Sequence, residues 1–333
     1  MKRILSLLLT LCLLVSFAAC AAPTRVRDLN KPEPTAAPTQ PQPTEPQQPS
    51  SITPALYKVT DETGNAVWLF GSIHVGLPSF YPLPEYVLSA YESADALAVE
   101  CDVVALETDL DAQMAALEGM LYHDGTKISD HIPEALYTQA VEALRDSGSY
   151  MSALDLYKPV LWSSFIDNAL YDEYGVDSEL GIDMYFLNDA HGTGKEILEV
   201  ESVQFQYDML AGYSEELQIL LLEGSVYSHQ NPDEGREQVN SLLEAWSSGD
   251  AEALYALLSE EGDLETEEER ELYAEYNDAM IVKRNISMAD YAEEALASGK
   301  ELFICVGAAH VVGAGAMADL LAQRGYTVER VTP

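Results

Sequence analysis

The chain is predicted to be an α/β protein, a central mixed sheet with helical cover and long helical insertions. Three observations predict this. Apolar runs of strand length recur along the chain, helix-patterned stretches separate them, and no period of the solenoid kind is present.

The elements follow in order. Leu56-Tyr57-Lys58-Val59 alternates, Thr63-Gly64-Asn65 supplies a turn, and Ala66-Val67-Trp68-Leu69-Phe70 returns as the second strand of a hairpin. A helix follows Pro84 with Val87, Leu88 and Tyr91 on one face, and Ala94 to Glu100 reads as a short apolar strand ending in a carboxylate. Residues 102–195 are expected to be mostly helical, punctuated by Gly125, Pro133, Gly148 and Pro159. Glu196 to Glu201 is a further strand, and residues 202–298 return to helix up to Gly299. Leu302 to Val306 is a buried strand, Ala314 to Arg324 a helix stopped by Gly325, and Tyr326 to Val331 a last strand.

The amino terminus predicts a compartment. Lys2 and Arg3 precede an apolar run from Ile4 to Phe17, and Ala18-Ala19 suits a signal peptidase, so residues 1–19 read as a signal peptide. The run is short for a membrane span. Phe17-Ala18-Ala19-Cys20 resembles a bacterial lipobox, which makes Cys20 the expected lipidation site, with plain cleavage after Ala19 as the alternative. Residues 20–52 then form a linker rich in Pro, Thr and Gln. Eight of the sixteen prolines fall between residues 23 and 50, where almost no large apolar side chain is available to bury. The expected product is a lipoprotein anchored to the extracytoplasmic face of the membrane, with residues 53–333 as its folded domain.

Charge excludes one class of partner. With 17 basic against 56 acidic residues the net charge is -39, the opposite of a nucleic-acid footprint. The acidic run from Glu260 to Glu275 lacks the spaced Asp/Asn-Gly loop of a calcium site and reads as a solvated helix face. Of the four cysteines only Cys101 and Cys305 lie in the expected domain, each after an apolar run, where a small core residue is the plain reading.

Chemistry gathers at the strand ends. The strands just described lead to His74, Glu100, Glu201 and His310, and ligand crevices of open α/β sheets lie outside the carboxyl ends of strands. Two imidazoles and two carboxylates are residue types that bind a divalent ion or move protons. Gly71 and Gly307 each precede a histidine by three residues, where a bare backbone permits close approach of a ligand. Bland readings stand beside these: Asp183 as a helix-start acid and Arg284 as a partner for nearby acids.

The segments Leu69-Phe70-Gly71-Ser72-Ile73-His74, Ala98-Val99-Glu100 and Val306-Gly307-Ala308-Ala309-His310-Val311-Val312-Gly313 resemble signature blocks of the TraB/GumN family, which includes the Tiki proteases and the pheromone-shutdown proteins. Gly181-Ile182-Asp183 with Gly194 to Glu201 resembles its middle block, and Lys283-Arg284-Asn285 its Arg-Asn block. The resemblance spans about residues 54–331. It implies a metal-dependent hydrolase, with His74 and His310 as metal ligands and Glu100 as a ligand or general base. Glu201 and Asp183 would support them, and Arg284 would meet a substrate carbonyl or developing oxyanion. The ion would be Mn, Co or Zn, which mixed nitrogen and oxygen ligands do not distinguish. A peptide or protein is the implied substrate, so the expected activity is that of a peptidase or amidase. Two alternatives are a non-catalytic lipoprotein that sequesters peptide and a structural lipoprotein with a vestigial site.

Overall fold

The computed structural model describes residues 52–260, 264 and 266–333. The expected leader, Cys20 and all of the linker before Ile52 lie outside the described residues. No helix among the described residues is long and apolar enough to cross a membrane.

The fold is α/β. Six strands, β1 (Leu56–Thr60), β2 (Ala66–Ser72), β3 (Ala96–Val99), β4 (Glu196–Glu199), β5 (Leu302–Gly307) and β6 (Thr327–Val331), form one mixed sheet in the order β4-β3-β5-β2-β1-β6. β2, β5, β3 and β4 are mutually parallel, while β1 runs antiparallel to both β2 and β6. The parallel set follows from the long helical crossovers, and the hairpin from the short turn at Thr63-Gly64-Asn65. β3 and β5 are buried along their whole length, as parallel strands covered on both faces must be.

This topology decides where the chemistry goes. Parallel strands point their carboxyl ends the same way, and register sets the levels: Ser72 opposes Gly307, and Val99 opposes both Cys305 and Glu199. The β3–β4 ladder runs on past the strands, with Val200 N–H donating to Val99 O and Glu201 N–H to Glu100 O. Glu100 and Glu201 are therefore neighbours, although a hundred residues separate them in the chain.

Helices cover the sheet. Helix Ile182–Thr193 packs on it through Phe186, whose ring lies 5.8 Å from Phe70 and 5.0 Å from Phe303. Helix Pro232–Ser248 closes the end of β2, where the Trp246 indole N–H donates to Gly71 O at 2.8 Å. The insertions build two smaller cores of their own. One gathers Met120, Tyr207, Leu217, Tyr276 and Met280, the other Ile128, Leu144, Trp162, Ile166 and Leu222. Cys101 and Cys305 are buried free thiols, as core residues would be.

Two elements differ from expectation. A short helix, Ala308–Val311, follows β5 immediately, and the next helix begins at Met317 rather than Ala314, because Gly313 and Gly315 take positive φ between them. One turn of π-helix, Asp278–Val282, also interrupts the helical run just before Lys283–Ser298. Such turns re-phase a helix and favour functional sites, and this one ends two residues before Arg284.

Candidate active site

His74 lies two residues beyond β2, in a loop pinned by tight backbone contacts. Ile182 N–H donates to Ile73 O, and Gly76 exchanges backbone hydrogen bonds with Asp177. Gly181 makes this approach possible, since a Cβ there would stand 2.6 Å from His74 O. The same contact starts helix Ile182–Thr193 and brings Asp183, in its first turn, to His74. The His74 Nδ1–H donates to Asp183 Oδ2 at 3.0 Å, which leaves Nε2 as the working nitrogen. Asp183 Oδ1 is buried and takes no protein hydrogen bond. Burial lowers the His74 pKa, but the charge and hydrogen bond of Asp183, helped by Glu100, outweigh it and raise the value to about 9.

His310 is held in the same manner from another element. Its Nδ1–H donates to Asn285 Oδ1 at 2.7 Å, and Asn285 Nδ2 donates to Gly315 O at 2.9 Å, tying down the loop beyond the histidine. Burial, then the Arg284 charge, pull the His310 pKa down to about 3, with Glu100 opposing, so this imidazole is neutral.

Glu100 joins the two histidines. Its Oε1 accepts Gly307 N–H at 2.7 Å and stands 4.0 Å from His310 Nε2. Its Oε2 accepts Arg284 Nη2 at 2.6 Å and Gln206 Nε2 at 3.1 Å. Burial favours the neutral acid, yet the Arg284 charge above all, with His74 and the Gly307 N–H, holds the carboxyl well below the usual range. A carboxylate so held is a poor proton acceptor at neutral pH and a good anionic donor.

Arg284 is 2% exposed. Its Nε donates to Glu201 Oε1 at 2.9 Å and its Nη2 to Glu201 Oε2 at 2.8 Å, a forked pair. Nη1 faces Met280 O and Sδ. The guanidinium therefore binds two acids together, as the bland reading of it held.

The centre of the cluster is marked by an absent side chain. A Cβ on Gly307 would lie 3.2 Å from Glu100 Oε1, 3.6 Å from His310 Cδ2 and 3.9 Å from His74 Nε2. Three functional groups from three strand ends thus face one spot that only glycine keeps open. Among the described residues no three His, Cys, Asp or Glu side chains already stand close enough to hold an ion. The donor chemistry nevertheless fits one. Both histidines have Nδ1 committed to an acceptor, the arrangement that orients metal-ligating imidazoles. Donors bonded at about 2.0–2.2 Å to one ion can stand up to about 4 Å apart, which admits His310 Nε2 and Glu100 Oε1.

The six expected site residues fall into two hydrogen-bonded groups, His74 with Asp183 and Arg284 with Glu100 and Glu201, with His310 outside both. His310 Nε2 stands 4.0 Å from Glu100 Oε1, and the position of Gly307 brings the groups near one another. Sequence reasoning missed Gln206, the role of Asn285 and the Gly307 N–H. Asn285 stood beside Arg284 in the Arg-Asn block, so its signal was present. Gln206 carried none. Glu199 accepts Asp102 N–H at 2.9 Å.

The model of the TraB/PrgY/gumN family matches residues 55–330, from β1 through β6. The chain belongs to this family. Among relatives, the uncharacterized protein YbaP of Escherichia coli (strain K12) is 26% identical over 255 residues, 76% of this chain and 86% of that one. An uncharacterized protein of Treponema pallidum (strain Nichols) is 23% identical over 264 residues, 78% of this chain and 77% of that one. No solved structure matches the chain. Every residue of the cluster lies within the TraB/PrgY/gumN match, so the site belongs to the family domain.

Proposed function

We propose that the chain is a metal-dependent hydrolase of amide bonds, a peptidase or amidase. The observation that carries this reading is the convergence of His74 Nε2, His310 and Glu100 Oε1 on the Gly307 cradle. His74 and His310, through Nε2, and Glu100, through Oε1, would hold a divalent ion, with Mn, Co and Zn all compatible with that donor set. When bound, such an ion polarises a carbonyl and makes water acidic enough to ionise near neutral pH.

The chain's own groups prepare that chemistry. Asp183 and Asn285 accept from Nδ1 and so orient each Nε2 toward the cradle. At His74, whose pKa is raised to about 9, the Nε2 proton would give up its place to an ion. The Gly307 N–H and Arg284 keep Glu100 ionised, which supports a place for it among the ligands over the role of general base. Arg284, spent on Glu100 and Glu201, organises acids instead of meeting a developing oxyanion. The peptide or protein substrate rests on the resemblance to the Tiki proteases.

The anchor is a separate proposal. The lipobox-like segment before Cys20 supports attachment to the extracytoplasmic membrane face, and a fatty-acid analogue should label the wild type but not Cys20→Ser.

The test of activity incubates the full chain with a peptide library and Mn²⁺, Co²⁺ or Zn²⁺, reading products by mass spectrometry. Metal-dependent cleavage lost in His310→Ala is the expected result. Stoichiometric metal without turnover would favour peptide capture, and absence of bound metal would overturn the reading.

A further inference from the structure

Gln206 lies in helix Val203–Ala211, just beyond Glu201, and belongs to none of the motifs the sequence displays. Its Nε2 stands 3.1 Å from Glu100 Oε2 and 3.1 Å from Glu201 Oε2. Arg284 Nη2 reaches the same two oxygens, at 2.6 Å and 2.8 Å. Each of these NH₂ groups has two N–H bonds, and each finds the same pair of acceptors. Ionised carboxylates only accept, so the amide must present nitrogen to them. Its own oxygen then faces away, where Cys101 Sγ–H donates at 3.6 Å.

We propose that Gln206 is a positioning residue for Glu100: with Arg284 it closes a ring of four hydrogen bonds around the two Oε2 atoms and thereby turns Oε1 of Glu100 to the Gly307 cradle. A carboxylate rotates broadly about its last bond, so a single contact would leave the direction of its plane open. The ring removes that freedom. One guanidinium also balances only one of two adjacent carboxylates, and the amide adds two donors without adding a charge. Glu201 matters here through its position, because it supplies the second acceptor that orients both NH₂ groups. The consequence for ion binding rests on the proposed metal site, whereas the consequence for Glu100 geometry does not.

The experiment therefore has two readouts on the full chain. Gln206→Leu has nearly the same size and no amide, and Gln206→Asn keeps the amide but falls one methylene short. Amide hydrogen exchange reports the Gly307 N–H, whose acceptor is Glu100 Oε1. In either variant Gly307 should exchange faster, on the order of tenfold, while Phe303 to Val306 of β5 stay as in wild type. Calorimetric titration with Mn²⁺ should show affinity weakened about 10- to 100-fold, as removal of outer-shell support does. Gln204→Leu, an exposed change in the same helix, should alter neither. Unchanged Gly307 exchange in a folded variant would overturn the proposal, as would equal acceleration throughout β5. If the wild type binds no Mn²⁺, the metal reading fails alone, and Gly307 exchange still decides the role of Gln206. Should Gln206→Leu not fold, Gln206→Asn decides it.

Discussion

The Gly307 N–H donates to Glu100 Oε1 at 2.7 Å, so the end of β5 grips the carboxylate delivered by the end of β3. One residue thus acts twice, as a donor through its backbone and as free space through its missing side chain. The predictions below separate these contributions.

Gly307 has φ -50° and ψ 139°, a conformation any residue adopts, so Gly307→Ala introduces no backbone strain. The new methyl would sit 3.2 Å from Glu100 Oε1 and 3.9 Å from His74 Nε2, inside the cradle. We expect stability within about 1 kcal/mol of wild type, with the entropic gain of Ala over Gly offsetting slight crowding. Metal binding and hydrolysis should be lost. Thermal melting with parallel titration checks this, and full retention of metal affinity would mean that the ion site lies elsewhere.

Glu100→Gln leaves a donor facing donors whichever way the amide turns. With its oxygen on Gly307 N–H, its NH₂ meets Arg284 Nη2 and Gln206 Nε2; reversed, it meets the Gly307 N–H. The unmade hydrogen bonds should cost about 1–3 kcal/mol. Urea unfolding measures this directly. A variant as stable as wild type would contradict the hydrogen-bond network around Glu100.

Asp183→Asn keeps an acceptor for His74 Nδ1–H but removes the charge beside it. Outer-shell changes of this kind weaken metal affinity about 10- to 100-fold, whereas His74→Ala and His310→Ala should abolish binding with the fold kept. Calorimetry with Mn²⁺ and circular dichroism distinguish the cases. Equal affinity in Asp183→Asn and wild type would remove Asp183 from the site.

Asp167, in helix Pro159–Tyr174, is buried with Oδ2 unpaired. Burial pushes its pKa up to about 8, a hydrogen bond from Ser225 only partly opposing. Between the ordinary value near 3.8 and about 8 the folded state keeps a proton that the unfolded state releases. Stability contributed by this group is therefore present at low pH and declines as pH rises through that window, by up to about 6 kcal/mol. Asp167→Asn cannot ionise, so the stability difference between wild type and variant should shift in favour of the variant from pH 5 to pH 8. Urea titrations at both pH values test the sign, and a constant difference would show that Asp167 does not titrate as inferred.

Local pattern by itself determined the six strands and the arrival of His74, Glu100, Glu201 and His310 at strand ends. Periodicity, turn residues and strand-terminal glycines are short-range properties, and each is written within a few residues. The resemblance, carried by ordered blocks, located the family domain that residues 55–330 match. Tertiary structure alone decided which groups touch. Parallel register set Glu100 beside Glu201, and the close approach at Gly181 turned Asp183 from a helix-start acid into the partner of His74. The same packing spent Arg284 on two carboxylates and brought in Gln206, which nothing nearby in the chain foretold. Hydrogen bonds between residues a hundred positions apart depend on sub-ångström placement of whole elements. That placement comes from the summed packing of the sheet and its covering helices, including the Phe70, Phe186 and Phe303 contacts, and no local motif encodes it.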